Sequence, residues 1–476
     1  MQGLVSLLPE LSLLALGLVL MGCEVFGPSL RRSVRIQGVA AAGLAVILAL
    51  VFYLPKTSTG GIIGLFQTSA TTQVWKILFI SAALLTVLLS RSYLEPGGNL
   101  RGVMDGKGPY FSLLVFTTLG MCVLVSSREW LTFFLALELA TLPLYALAGF
   151  QLKDSDSTEA AAKFIVMGSL ATAMTLFGIS FLYGACGKLD FQSLARVAQV
   201  YPISPLLWIG ALFLLAGLGF KLAMVPFHMW APDVYDGAPT PVMAFLSVGS
   251  KSAAVAALAL VFLGPLDSLR PSLIWIFGGG AVLSMIVGNL GAFRQKRLRR
   301  FVAYSSIAQA GYLLLAFTGD PHAAQTSVLY NLFAYGATSF CFYFVIAVIG
   351  KTGDESFSSL RGLSRRNPAV ALALLLAMFS LAGIPPLAGF MGKFMLFSAA
   401  AGAGQYALVL LALVNAVVSF YYYMLVVKEA YITPDDGASA PLPLTATQSV
   451  SLAVLSFGLL ALGMLPHLSR YLQELP

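Results

Sequence analysis

Four lysines, Lys163, Lys221, Lys251 and Lys393, and one acid, Glu138, stand inside long apolar runs of this chain, where a charge is expensive. Glu138 falls near the middle of the run 130–150 and Lys251 near the middle of 241–264. Lys221 is three residues past Leu218, the midpoint of 205–230, an offset of about 4.5 Å along a helix, so it is central too. Lys163 is only a few residues inside 160–186, where its long stem can lift the ammonium to the headgroups. Lys393 lies in the second part of 369–399, and snorkelling is open to it as well.

A charge at mid-membrane costs roughly 2.5–3.5 kcal/mol on insertion scales, so three unpaired ones would cost about as much as a whole domain's stability. Pairing Glu138 with one lysine relieves part of this, and a static ion pair that holds helices together accounts for those two. One carboxylate cannot neutralise the remaining lysines. The surplus cations must meet water inside the protein or give up their protons, and either outcome points to a proton path.

Two apolar runs are interrupted by proline, at Pro226 in MVPFHMWAP (224–232) and at Pro385 and Pro386 in AGIPPLAGF (382–390). A proline removes a backbone hydrogen bond, and backbone at membrane depth opens only where protein or cavity water satisfies it. Each break accompanies a lysine, the pattern of carriers whose discontinuous helices mark an ion path. His228, inside the first break, is a possible relay because imidazole exchanges protons near neutral pH; a His–Trp anchor with Trp230 at the membrane boundary is the alternative. Nothing favours a role for His322 or His467.

The composition places these residues in a bilayer. The 476 residues are 58% hydrophobic and 10% charged, whereas soluble domains carry about 25% charged residues. At about 20 apolar residues per crossing, spans fall near 4–24, 34–54, 74–92, 109–127, 130–150, 160–186, 205–230, 241–264, 272–293, 301–318, 324–350, 369–399, 405–430 and 447–467. The expected fold is therefore an all-α integral membrane protein with about fourteen transmembrane helices in a single membrane domain, 1–476. The breaks fall in spans seven and twelve, which fits two inverted five-helix repeats, helices 4–8 (109–264) and 9–13 (272–430). The N-terminal helices 1–3 (1–108) and helix 14 (447–476) flank them.

Counted alternately from an outer N-terminus, loops on one side hold seventeen Lys and Arg, among them Arg31, Arg32, Arg101 and the FRQKRLRRF run (293–301), against seven on the other, Lys56 and Lys76 included. The rule that positive loops stay inside puts both termini in the periplasm. It also makes the basic run a topology signal and leaves nucleic acid without a claim. LMGC (20–23) faintly resembles a lipoprotein cleavage box, but nothing basic precedes Glu10, so the first run is expected to be a permanent span.

Cys23, Cys122, Cys186 and Cys341 are scattered with no CxxC pair, which supports neither zinc nor an iron–sulfur cluster. No phosphate-cradling glycine motif is present. No cofactor and no metal are expected on this chain, and redox chemistry is left to partners.

The stretches WLTFFLALELATLPLYAL, GFKLAMVPFHMWAPDVYDGAPTPV, FLSVGSKSAA, NLGAFRQKRLRRFVAYSSIAQAGYLLL and LAGIPPLAGFMGKF closely resemble the N-subunit family of bacterial respiratory complex I, over roughly residues 100–430. The resemblance implies an antiporter-like, proton-translocating subunit of NADH:quinone oxidoreductase, multi-pass in the bacterial inner (plasma) membrane, with FMN, iron–sulfur clusters and quinone held by partner subunits. It implies M-type and L-type antiporter-like subunits and small membrane subunits as partners, besides the lipid bilayer. On matching positions, Glu138 looks like the fifth-helix acid that modulates Lys221 of the broken seventh helix, and Lys251 like the eighth-helix relay. Lys393 looks like the twelfth-helix residue toward the outer side, and Lys163 matches a sixth-helix lysine of this subunit type. The M subunit and Mrp-type antiporter subunits are the nearest relatives in pattern; VYDGAPTPV and a lysine at 393 favour the N type. The competing readings are an Mrp-type or standalone cation/proton antiporter and a structural membrane spacer.

Overall fold

The computed structural model describes residues 7–26, 33–54, 59–60, 65–94, 107–202, 204–350, 355–434, 441–465 and 467–474. Arg31, Arg32, Lys56, Arg101 and Lys351, which entered the charge count, and both chain ends lie outside the described residues.

Apolar runs with few charges become helices here because only a helix satisfies its own backbone in lipid. The N-terminal part forms α1 (Leu8–Phe26), α2 (Ser33–Tyr53) and α3 (Ala70–Leu94), with a two-residue ladder of β1 (Thr59–Gly60) and β2 (Gln67–Thr68) before α3. There follow α4 (Lys107–Ser126), α5 (Trp130–Ala148) and α6 (Ser155–Cys186). A short α7 (Phe191–Val200) lies in what the apolar windows left as a loop; it buries Phe191, Leu194 and Ala198, one stripe at helical spacing.

The run 205–230 is not one helix. Its helix, α8 (Pro205–Leu222), stops at the break, and α9 (Trp230–Gly237) starts where the run ends. The run 241–264 is α10 (Thr240–Phe245), a π-helical turn (Leu246–Ser250) and α11 (Lys251–Phe262), where a regular helix was expected. Then come α12 (Arg270–Phe293), α13 (Leu298–Ala316), α14 (Pro321–Ile349) and the single turn α15 (Leu363–Arg366). The second divided run is α16 (Pro368–Ala382) and α17 (Ala388–Gly402), followed by α18 (Tyr406–Tyr431), α19 (Ala446–Met464) and α20 (His467–Gln473). Among the described residues, eleven helices are long and apolar enough to cross a membrane, so the chain is an all-α, multi-pass membrane protein.

Helix starts follow local chemistry. Asp320 caps α14 by accepting from His322 N and Ala323 N, Asn367 caps α16 through Val370 N, and Thr445 and Gln448 form a capping box on α19. All but a few residues of α14 are buried, because it runs through the middle of the bundle against α3, α13, α16, α17 and α19. The lipid side is carried by exposed apolar residues of outer helices, such as Leu170 and Phe177 on α6 and Val417 on α18.

One expectation needs correction here. Lys76, assigned to an outer loop, lies inside α3, 1% exposed, with Nζ 2.6 Å from Glu10 Oε1 of α1. The window 74–92 already contained it, and its charge belongs with the buried lysines.

Candidate functional site

Lys221 occupies the last turn of α8, which stops because Ala223 takes a left-handed conformation, φ 60°. The amides of Ala223 and Met224 turn back, Met224 N donating to Gly219 O at 2.8 Å, which satisfies carbonyls a helix end otherwise leaves open. Trp230 Nε1 closes Phe220 O at 2.8 Å, and Val225 N donates to Ser284 Oγ of α12 at 3.0 Å. The broken backbone is thus satisfied by protein, and the negative end of the α8 dipole favours a cation at this point.

Opposite α8, α5 presents Glu138 and, one turn on, Thr141. The Lys221 ammonium donates to Thr141 Oγ1 at 2.7 Å, while Glu138 Oε1 is 3.8 Å away. Thr141 in turn donates to Leu137 O at 2.6 Å, and Thr172 of α6 donates to Glu138 Oε1 at 2.9 Å. With side chains only 7% and 15% exposed, the pair is little screened. Its Coulomb coupling is on the order of a few kcal/mol. A small rotation of the lysine stem exchanges the hydroxyl for the carboxylate, so the ammonium has two partners within reach.

Lys251, 2% exposed, follows the π-helical turn directly. Its Nζ donates to Ser306 O of α13 at 2.5 Å and makes a close contact with Ser306 Oγ. Tyr235 of α9 reaches the same hydroxyl at 3.5 Å, and Ser247, within the π turn, meets Tyr335 of α14 at 3.2 Å. A π turn re-aims side chains and is frequent at functional positions.

Lys393 extends from α17 back over the second break. Its Nζ donates to Leu381 O at 2.8 Å and Ala382 O at 3.3 Å, the last carbonyls of α16, and lies 4.7 Å from the centre of the Tyr312 ring. Gly383, φ 87°, ends α16, and its amide donates to Phe379 O and Ser380 O at 3.0 Å. A cavity of about 10 Å³ beside Lys393 is lined by Gln309, Asn331, Tyr335, Thr338 and Ser380, room on the order of one water. Tyr335 therefore faces both the Lys251 turn and the Lys393 cavity. Among the described residues no carboxylate lies within 4.0 Å of Lys251 or Lys393.

The remaining expectations divide. Lys163 does not join the buried set: its side chain is 42% exposed, and it pairs with Glu159 at 2.8 Å and Asp233 at 2.7 Å. Asp233 also holds Arg300, Asp236 holds Arg297, and Arg299 binds Glu355, so the basic run is an ion-pair network around the end of α9. His228 is half-buried with its Nδ1 unpartnered among the described residues. Trp230 is 3% exposed and stacked on Phe164 at 4.7 Å, which removes the boundary-anchor reading. Pro226, Pro385 and Pro386 all sit in the breaks, where the Val225–Pro226 and Pro385–Pro386 bonds are cis.

Sequence reasoning missed Thr141, Thr172 and Ser306, the groups that hold the charges, and Tyr335, which meets Ser247 and lines the cavity at Lys393. A hydroxyl three residues after an intramembrane acid, as Thr141 follows Glu138, was the only signal available.

Comparison with known proteins bears on this arrangement. Residues 127–419 match the family described as NADH:quinone oxidoreductase/Mrp antiporter, TM. The NADH-quinone oxidoreductase subunit N of Moorella thermoacetica is 40% identical over 468 residues, 98% of this chain and 96% of that protein. The F(420)H(2) dehydrogenase subunit N of Methanosarcina mazei is 35% identical over 484 residues, 98% and 97% of the two chains. A chain of respiratory complex I from Thermus thermophilus superposes with a TM-score of 0.82 at 34% identity, covering 97% of this chain and 98% of that one. A chain of the Mrp complex from Dietzia sp. gives 0.84 at 20% identity, covering 99% and 96%, a likeness of fold.

Proposed function

This chain belongs to the NADH-quinone oxidoreductase subunit N family, and from that premise we propose that it moves protons across the membrane through Glu138, Lys221, Lys251 and Lys393, driven by quinone reduction elsewhere in the complex. It works as an antiporter-like subunit of a translocase, beside M-type, L-type and small membrane subunits in a bacterial inner membrane. FMN, iron–sulfur clusters and quinone belong to its partners. Relatives named for NADH and for F(420)H(2) both match along nearly their whole length, so the electron donor is chosen by other subunits.

The observation that carries this reading is the position of the Lys221 ammonium, bound to a neutral hydroxyl at 2.7 Å with a carboxylate waiting at 3.8 Å. A lysine kept only to neutralise Glu138 would sit on the carboxylate. In the proposed cycle a change of charge nearby moves the ammonium between Thr141 and Glu138, which alters how strongly it holds its proton. The proton passes to Lys251 and, by Ser306, Ser247 and Tyr335, toward the cavity at Lys393 and the outer side. Lys163, with Asp233, stands at the inner end of this route, and His228 is a candidate relay in the first break. Fourteen spans, two inverted repeats at 109–264 and 272–430, and periplasmic termini complete the reading. The like-built ends of α8 and α16 support the repeats.

The test is Lys221→Ala in the assembled complex, reconstituted in vesicles. Near-normal assembly with impaired proton pumping and quinone reduction is expected; unchanged pumping would leave the structural-spacer reading. Flavin and iron–sulfur subunits co-purifying with the native protein separate the reading from a standalone antiporter.

A further inference from the structure

The N-terminal helices bury a second ion pair outside the lysine axis. Lys76 Nζ of α3 lies 2.6 Å from Glu10 Oε1 of α1, with side chains 1% and 7% exposed. Both helices pack on α4. Beyond this contact with each other, neither the carboxylate nor the ammonium has a hydrogen-bond partner among the described residues. A buried bridge offsets its desolvation only when further hydrogen bonds support it, and an apolar pair of like volume would hold the helices as well or better. As a clamp, the pair is a poor choice of residues.

Its surroundings suggest another use. Thr72 is one turn from Lys76 on the same face of α3 and lines a crevice of about 770 Å³ together with Gln67, Ser69, Arg128, Asp190 and Gln192. Lys76 therefore lies one helical turn from a crevice in which these polar groups stand among apolar ones such as Trp75, Val125, Phe191 and Leu260. From the other direction, α3 and α4 both pack on α11, which begins at Lys251.

We propose that Glu10 and Lys76 form a further proton-holding pair of the transport machinery, exchanging its proton with water in the crevice at Arg128. The inference rests on the proton-translocating reading above. In the ionic state the proton is on Lys76; transfer breaks one Nζ–H bond and forms an Oε1–H bond, leaving a neutral amine beside a carboxylic acid. Loss of the acid's proton to crevice water gives a carboxylate and an amine, and a proton arriving at the amine restores the ionic pair. No charge is left unbalanced over the cycle.

The experiment uses the intact complex in vesicles, with protons moved per electron pair read by a pH-sensitive dye. The double variant Glu10→Leu, Lys76→Leu removes both charges and leaves neither unpaired. Assembly on native gels should be unchanged while the proton yield per electron pair falls; an unchanged yield overturns the inference. Should the double variant fail to assemble, Glu10→Gln is compared with the parent by redox-induced infrared difference spectroscopy. Loss of a protonated-carboxyl band supports the pair's role, and identical spectra overturn it. Lys221→Ala, run alongside, separates the two ideas: if it impairs pumping while the double leucine variant does not, only the N-terminal pair is rejected.

Discussion

The two broken helices share a backbone device and differ in how they hold a lysine. In each, a half-helix ends on a left-handed residue, Ala223 or Gly383, whose amide turns back onto carbonyls of the last turn, and a proline follows three residues later. In the first break the lysine precedes the turn and faces a hydroxyl and a carboxylate from another helix. In the second it follows the turn and reaches back to Leu381 O, the carbonyl at the place Lys221 holds in α8, with an aromatic ring in place of an acid. The same end-of-helix field receives both cations. Only the first has a partner whose charge can change. On the proton path proposed above, the first break senses a charge and the second holds a proton until it leaves.

The largest expected effect breaks this comparison at its charged end. Lys221→Met leaves Glu138 buried without its cation, a loss of about 3–5 kcal/mol for removing one member of a buried pair, read as a lower thermal-inactivation midpoint with donor-driven pumping nearly abolished. Restoring the midpoint with Glu138→Gln in the same chain, while pumping stays low, would show that the two losses have different origins. Next, Thr141→Val removes the hydroxyl on which the ammonium rests, a charged hydrogen bond of about 1.5–3 kcal/mol. Lys221 should then stay on Glu138, so assembly and midpoint change little while turnover falls; unchanged turnover would mean that the hydroxyl is a bystander.

Lys393→Met removes a cation from carbonyls and a ring but strands no acid, so a smaller stability loss, up to about 2 kcal/mol from the helix-end field, is expected. Adding Glu138→Gln should leave its midpoint where it was, because Lys393 has no contact with Glu138, in contrast to the restored midpoint expected for Lys221. The smallest test exchanges the turn residues. Gly383→Ala forces a Cβ into φ 87° and costs about 1–2 kcal/mol. Ala223→Gly relieves the same conformation in the first break and raises the midpoint by up to about 1 kcal/mol's worth. Equal and opposite shifts in these two variants would establish that the turns are equivalent; a fall in both would deny it.

Much of this was legible beforehand because charges in lipid are rare and costly. Lys221, Lys251, Lys393 and Glu138 stood out from composition alone, and the prolines marked the places where helices stop. What holds those charges was not legible. Thr141 and Thr172 look like ordinary membrane-helix threonines, which usually bond their own preceding turn, as Thr141 also does. Ser306 is distant in sequence from Lys251, which it holds, and Tyr335 from Ser247, which it meets. The π turn before Lys251 has the apolar composition of any helix. Lys163 stood near one end of its apolar run, and its partners Asp233 and Glu159 came only with the packing. Lys76 was misassigned because the charge count took it for a loop residue.

The sequence by itself determined that this is a helical membrane protein, where its helices break, and which residues carry charge at depth, since each of these follows from the transfer cost of local groups out of water. Tertiary structure alone decided which charges meet. Lys221 faces Glu138 across a threonine, Lys393 faces carbonyls and a ring, and Lys76 finds Glu10, because those distances depend on how helices far apart in the chain pack side by side, and no local energy encodes that.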